Sequence, residues 1–283
     1  VVDRPTWVRA NLDGFAVVLA PLLERMRESG NSGVTHAVGS RVTAVELGGV
    51  LAYLSGKVLG QFEAFVAPGV TPKLLLVAPN IVAAERMLDV PPSDFRLWVA
   101  LHEETHRVQF GAVPWLADHL LGLIHSYLGT KEPGGESIVR MRALLGGLID
   151  VIRGVPGASI VDSVQSPAQR EILDQVTTVM SVLEGHADHI MDEVGPEVVP
   201  SVALIRERFE ARRSSASGLD GLGRRLLGMD AKLAQYRNGA TFVRGVEQLV
   251  GREGFNAVWD KPENLPVPSE LADPAAWVVR VHG

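Results

Sequence analysis

The 283-residue chain contains no cysteine. Disulfides, thiolate metal sites and a cysteine nucleophile are excluded, so any metal must be held by His, Asp or Glu. The same absence suits a reducing compartment, and a cytoplasmic location is expected. A basic surplus is also missing: 27 Lys and Arg stand against 33 Asp and Glu, a net charge of −6. A protein that coats nucleic acid normally needs a basic face, so none is expected as a partner. Nor is there an uninterrupted membrane span. The longest apolar stretch, Val42 to Ala67, carries Glu46, Lys57, Gln61 and Glu63, which are costly at mid-bilayer. The start, Val1 to Arg9, carries Asp3, Arg4 and Arg9 and does not read as a secretory signal. Glycine-rich phosphate loops, nucleophile elbows and internal repeats are absent.

What is present is an apolar pattern of helical period. Hydrophobic residues make up 46% and charged residues 21%, enough for a substantial core. Apolar positions recur at three- and four-residue intervals, which predicts a mainly α chain. Helices are expected over Trp7–Met26 and Val42–Ala67. The second carries a stripe of Ala44, Gly48, Gly49, Ala52, Gly56 and Gly60 that would let another helix approach closely. Lys73–Val77 is a short apolar run before Ala78-Pro79-Asn80 and is the strand candidate. Ser93 is a candidate N-cap for a helix to about Phe110, and another helix follows from about Trp115 to Leu128. Thr130–Gly135 and Gly154–Gly157 read as loops bracketing a further helix. Ser166-Pro167 is an N-cap with proline at the first helical position, opening a helix toward Val194. Two or three helices are expected between Val198 and Gly251, and the segment Lys261–Pro274, with prolines at 262, 266, 268 and 274, reads as an extended wrap. No linker is long enough to demand two units, so residues 1–283 are read as one domain.

The chemistry lies in His102-Glu103-Glu104-Thr105-His106. Histidines four apart on a helix share a face about 6 Å apart, suited to two corners of a zinc site. Glu103, next to the first histidine, is placed to take a proton from a water on the metal. Leu97, Trp98, Val99, Leu101, Val108 and Phe110 would bury this helix and shelter the ion.

A catalytic zinc usually needs a third protein ligand. The metzincin pattern fails, because Gln109 and Ala112 stand where it wants glycine and histidine. The gluzincin-type arrangement takes a glutamate from a later helix, often with an aspartate four residues on that orients a ligating histidine. Glu184, 78 residues beyond His106, and Asp188 provide that pair on one helical face. Their apolar surroundings (Val179, Met180, Val182, Leu183, Ile190, Met191) weigh against a merely solvated acidic helix end. His186 and Asp188 are the rival ligands. His186 lies about 200° round the helix from Glu184, so those two are not expected on one ion. His186, His189, Tyr236 or an arginine of the Arg206–Arg213 cluster could stabilise an oxyanion. His119 and His125 read as ordinary satisfied or exposed histidines.

These residues resemble a known family. The start Val2-Asp3-Arg4-Pro5-Thr6-Trp7-Val8-Arg9-Ala10-Asn11 is similar to the zincin-like metallopeptidase type 2 family. So are the HEETH with Gln109-Phe110, the run Leu183-Glu184-Gly185-His186-Ala187, and Met191-Asp192. A late stretch, Gly228-Met229-Asp230-Ala231-Lys232-Leu233 with Gln235-Tyr236-Arg237, adds to the likeness. Members are largely actinobacterial and carry the labels hydrolase or deazaflavin-coenzyme-biosynthesis-associated protein. The resemblance implies a zincin-like, mostly helical fold with a small β element before the HExxH helix, and Zn2+ at His102 and His106. The Glu184, Ala187, Asp188 pattern is also similar to the third-ligand motif of CAAX-prenyl-type peptidases. The expectation is therefore a zinc hydrolase acting on a peptide, with Glu103 as base. A non-catalytic zinc scaffold and an amide hydrolase of a small metabolite are the alternatives. The sequence leaves the oligomeric state open.

Overall fold

Ser166 opens the longest of the helices described in the chain's computed structural model, and it does so by a reciprocal cap. Its side chain accepts from the Gln169 backbone N–H, while the Gln169 side chain accepts from the Ser166 N–H. The structure describes residues 1–28, 48–129, 166–215 and 229–283. It is mainly helical. In chain order, α1 is Arg4–Glu28, α2 covers residues 48–55, and α3 is Ala78–Leu88. Then come α4 (Pro92–Ala112), α5 (Leu116–Gly129), α6 (Pro167–Val198), α7 (Val202–Ser215), α8 (Met229–Asn256) and α9 (Pro274–His282). Strands β1 (Gly60–Phe62) and β2 (Leu74–Leu76) pair antiparallel in front of α3 and α4, with Gln61 opposite Leu75. Val2 adds a parallel bridge to Val77. The expected small β element before the HExxH helix is this hairpin.

Packing centres on α6 and α8, the most extensive helix pair, with α4 and α5 also against α6. The two long helices cross backbone on backbone at glycine. A Cβ on Gly239 would lie 1.9 Å from the Ser181 carbonyl oxygen, and one on Gly185 2.2 Å from the Gly239 carbonyl carbon. The glycine beside Glu184 thus sets how deeply the glutamate's helix is buried. Around the crossing lie Val179, Val182, Leu183, Phe242, Val243 and Val246, all buried. A second cluster joins Phe95 and Val99 of α4 to Ile205 of α7. At the other end, Asn80 holds three segments together. Its side chain donates to the Ser55 and Val58 carbonyls at 2.7 and 2.6 Å and accepts from Arg4 at 2.8 Å.

Four expectations from the sequence change here. Val42–Ala67 is not one helix: the helix, described from residue 48, ends at residue 55, and Gly60–Phe62 is a strand because Leu76 and its neighbours supply a partner. The glycine stripe is not one helix-packing face: among the described residues a Cβ at Gly48 or Gly49 would meet nothing within 4 Å, and only Gly60, already in a strand, is approached closely by a helix, through Glu103 of α4. Ser93 does not cap α4. Pro91 holds the cap position and Ser93 Oγ bonds Asp94, whose other oxygen accepts from the Ser201 N–H and hydroxyl. The tail is not simply extended: Pro262–Asn264 forms a 3-10 turn, and α9 buries Trp277 against Phe242. Thr130–Gly135 and Gly154–Gly157 lie outside the described residues.

Candidate metal centre

Helix α4 carries both histidines because its inner face is apolar and its periodicity aligns them. Phe95 and Val99 are buried two turns and one turn before His102, and Trp98 stacks on the His102 ring. The two Nε2 atoms converge to 3.2 Å. Glu184 arrives from α6 with its carboxylate oxygens 3.6 Å from His102 Nε2 and 3.8 Å from His106 Nε2. At Zn–N and Zn–O lengths near 2.1 Å, tetrahedral ligand atoms lie about 3.4 Å apart. The observed triangle of 3.2, 3.6 and 3.8 Å fits that size. Two imidazoles and one carboxylate also form a donor set typical of catalytic zinc. Each of the three side chains remains partly exposed, so the centre is reachable from solvent.

The trio is electrostatically coupled. Burial opposes charge on His102, yet the Glu184 carboxylate outweighs it, helped by Glu103 and Asp188, and the pKa rises to about 9. Burial moves His106 the other way, below its ordinary value. Glu103 is 8% exposed. Burial drives its carboxyl up to about 7, against the pull of His102 and with a push from Glu184. It lies against β1: a Cβ on Gly60 would come 2.4 Å from Glu103 Cγ and 2.8 Å from its Oε1. Gly60 is the backbone surface on which this carboxylate rests. Glu104, by contrast, is only half-buried and is paired with Arg107.

Asp188 sits on the same helix as Glu184 with its pKa raised, mainly by burial, and it acts electrostatically on His102 and His106. The hydrogen bond that reaches His106 comes instead from Gln109, whose Oε1 is 2.9 Å from His106 Nδ1. The sequence reading gave Gln109 no role; its signal was a polar residue one turn beyond His106 on a helix that must be buried. His186 stands apart from the trio. Its ring stacks on Phe255 and meets Trp259 edge-on, its Nδ1 is 3.0 Å from Gln109 Nε2, and burial lowers its pKa to about 4. Tyr236 falls within α8, but its side chain lies outside the described residues. His125 is satisfied by the Val18 carbonyl and His119 packs edge-on against Trp115, as ordinary histidines. Beside the His186–Gln109 contact lies an open depression of about 410 Å³ with mostly apolar walls, among them Leu101, Val108, Val113, Ile190 and Trp259.

His189, Glu193 and Glu247 form a second group of possible ligands. Here Arg252 already pairs with Glu193 and approaches Glu247 at 3.9 Å, and His189 Nε2 lies 2.6 Å from Glu247. His189 Nδ1 is buried without a hydrogen-bond partner. A metal there would have to displace Arg252 from both glutamates and break the His189–Glu247 contact, so this group reads as a network of already paired side chains.

The model of the zincin-like metallopeptidase family matches residues 1–278, and the chain belongs to that family. A crystal structure from Chloroflexus aurantiacus, described as that of a "putative hydrolase with a novel fold", is similar over 100% of this chain and 79% of that one. The two share 30% sequence identity with a TM-score of 0.68. No curated protein matches the chain significantly. Among the described residues, no helix is long and apolar enough to cross a membrane.

Proposed function

We propose that residues 1–283 form one zinc-dependent hydrolase domain that cleaves a peptide bond, with His102, His106 and Glu184 holding the ion and Glu103 as general base. Family membership and the likeness to a protein described as a hydrolase support the reaction class. The observation that carries the reading is the convergence of two Nε2 atoms and one carboxylate within 3.8 Å, beside a buried glutamate.

Bound zinc would polarise the substrate carbonyl and acidify a water. The chain's own residues do the rest. His102 and His106 are held on one helical face, and Glu184 brings the negative charge that keeps a dication in a largely apolar setting. Glu103 accepts a proton from the attacking water and returns it to the leaving amine. Burial raises the Glu103 carboxyl's affinity for a proton in the metal-free protein, and a desolvated carboxylate is a stronger base than one in water. The apolar depression beside Gln109 and His186 is lined by none of the three ligands and not by Glu103, so the peptide reading rests on the family. A purely structural zinc would not need the buried Glu103, which argues against the scaffold alternative.

The test is an unbiased peptide-library digest by the zinc-loaded protein and by Glu103→Gln. Cleavage by the parent and none by a variant that keeps its zinc is the expected outcome. Equal cleavage by both would place the base elsewhere.

A further inference from the structure

Gln109 is 4% exposed, and both ends of its side-chain amide are engaged. One end lies 2.9 Å from the Leu183 backbone carbonyl and 3.0 Å from His186 Nδ1. The other lies 2.9 Å from His106 Nδ1. The chemistry of these partners removes the ambiguity of an amide's orientation. A backbone carbonyl can only accept, so the end facing Leu183 must be the NH2 group. The end facing His106 is then the carbonyl oxygen, which also only accepts. His106 Nδ1 must therefore carry a hydrogen. In neutral imidazole that leaves Nε2 as a bare lone pair, and Nε2 is the atom facing His102 and Glu184.

We propose that Gln109 is the positioning residue of the centre: one buried amide selects the Nδ1–H tautomer of His106 and ties the histidine helix to the helix of Glu184. The tie is direct, because Leu183 precedes Glu184 in α6 and its carbonyl accepts the Gln109 N–H. The remaining N–H faces His186 Nδ1, which places the hydrogen of that ring on its Nε2. Buried amides that bond at both ends are costly to half-satisfy, so losing either bond destabilises the packing of α4 on α6. The inference rests on the metal reading of His102, His106 and Glu184 only for its consequence; the tautomer is a property of the metal-free protein.

The experiment uses the full chain with 15N-labelled histidine, stripped of metal, and reads ring-nitrogen shifts by long-range proton–nitrogen correlation. His106, assigned by loss of its signal in His106→Ala, is expected to show hydrogen on Nδ1. Gln109→Leu should move it toward the Nε2–H tautomer that imidazole prefers in water. The same variant should lose zinc affinity by about 10- to 100-fold in chelator competition with zinc alone, the usual effect of removing a ligand's hydrogen-bond partner. Gln109→Glu keeps an acceptor for His106 but cannot donate to Leu183. It should retain the tautomer and most of the affinity while melting at lower temperature than the parent. Hydrogen on Nε2 of His106 in the parent protein overturns the inference, whether or not the leucine variant folds. So does unchanged zinc affinity in Gln109→Leu, which would leave the metal reading standing. A parent protein showing the Nδ1–H tautomer yet taking up no zinc would instead overturn the metal reading alone.

Discussion

The Glu184 carboxylate lies 3.6 Å from His102 Nε2, and its charge holds that imidazole protonated to about pH 9 although burial opposes it. In the metal-free protein a proton therefore sits where the ion is proposed to bind. A metal must displace it, so zinc uptake should release a proton. Below pH 9 each unit of rising pH should strengthen apparent affinity by about tenfold, levelling off once His102 is neutral. Chelator competition across a pH series, with proton release measured in weakly buffered solution, checks this. Glu184→Gln should flatten the upper part of the curve.

Gly60 is expected to act through Glu103. An added methyl would fall 2.4 Å from Glu103 Cγ, and the buried side chain has to move. Gly60→Ala should therefore cut hydrolysis by about 100-fold, on the scale of a lost general base, while zinc content stays unchanged. Activity assay alongside metal analysis separates this from simple unfolding; loss of zinc in this variant would show that the strand supports the ligands instead.

The three acidic and histidine candidates of α6 should rank by their distance from the chemistry. Glu184→Ala removes a charged ligand and should weaken zinc binding most. Asp188→Asn should cost less than that, because Asp188 acts on His102 and His106 through its charge alone. His186→Ala should keep the metal, since its ring packs on Phe255 and Trp259. Titration of all three variants gives the order directly. A site emptied by His186→Ala and kept by Glu184→Ala would mean three histidine ligands.

Much of this was legible in the sequence because it depends on local spacing. His102 and His106 share a face by helical period alone, and Ser166-Pro167 marks the start of α6 by cap chemistry. The strand read at Lys73–Val77 is found at Leu74–Leu76. What the sequence hid depends on partners distant in the chain. Gly60 looks like any glycine in an apolar stretch until β2 pairs with it and Glu103 packs against it. Gly185 and Gly239 are 54 residues apart, and only their crossing shows why a side chain is excluded at either. Gln109 reads as a break in an apolar face until Leu183 and His186 arrive from α6 to bond it.

The most direct test of the account is the metal content of the protein purified without chelator, measured by elemental analysis and followed by zinc titration of the stripped protein. About one zinc per chain is expected, lost when His102 and His106 are both replaced by alanine. A protein that carries no zinc and takes none up on titration would contradict it.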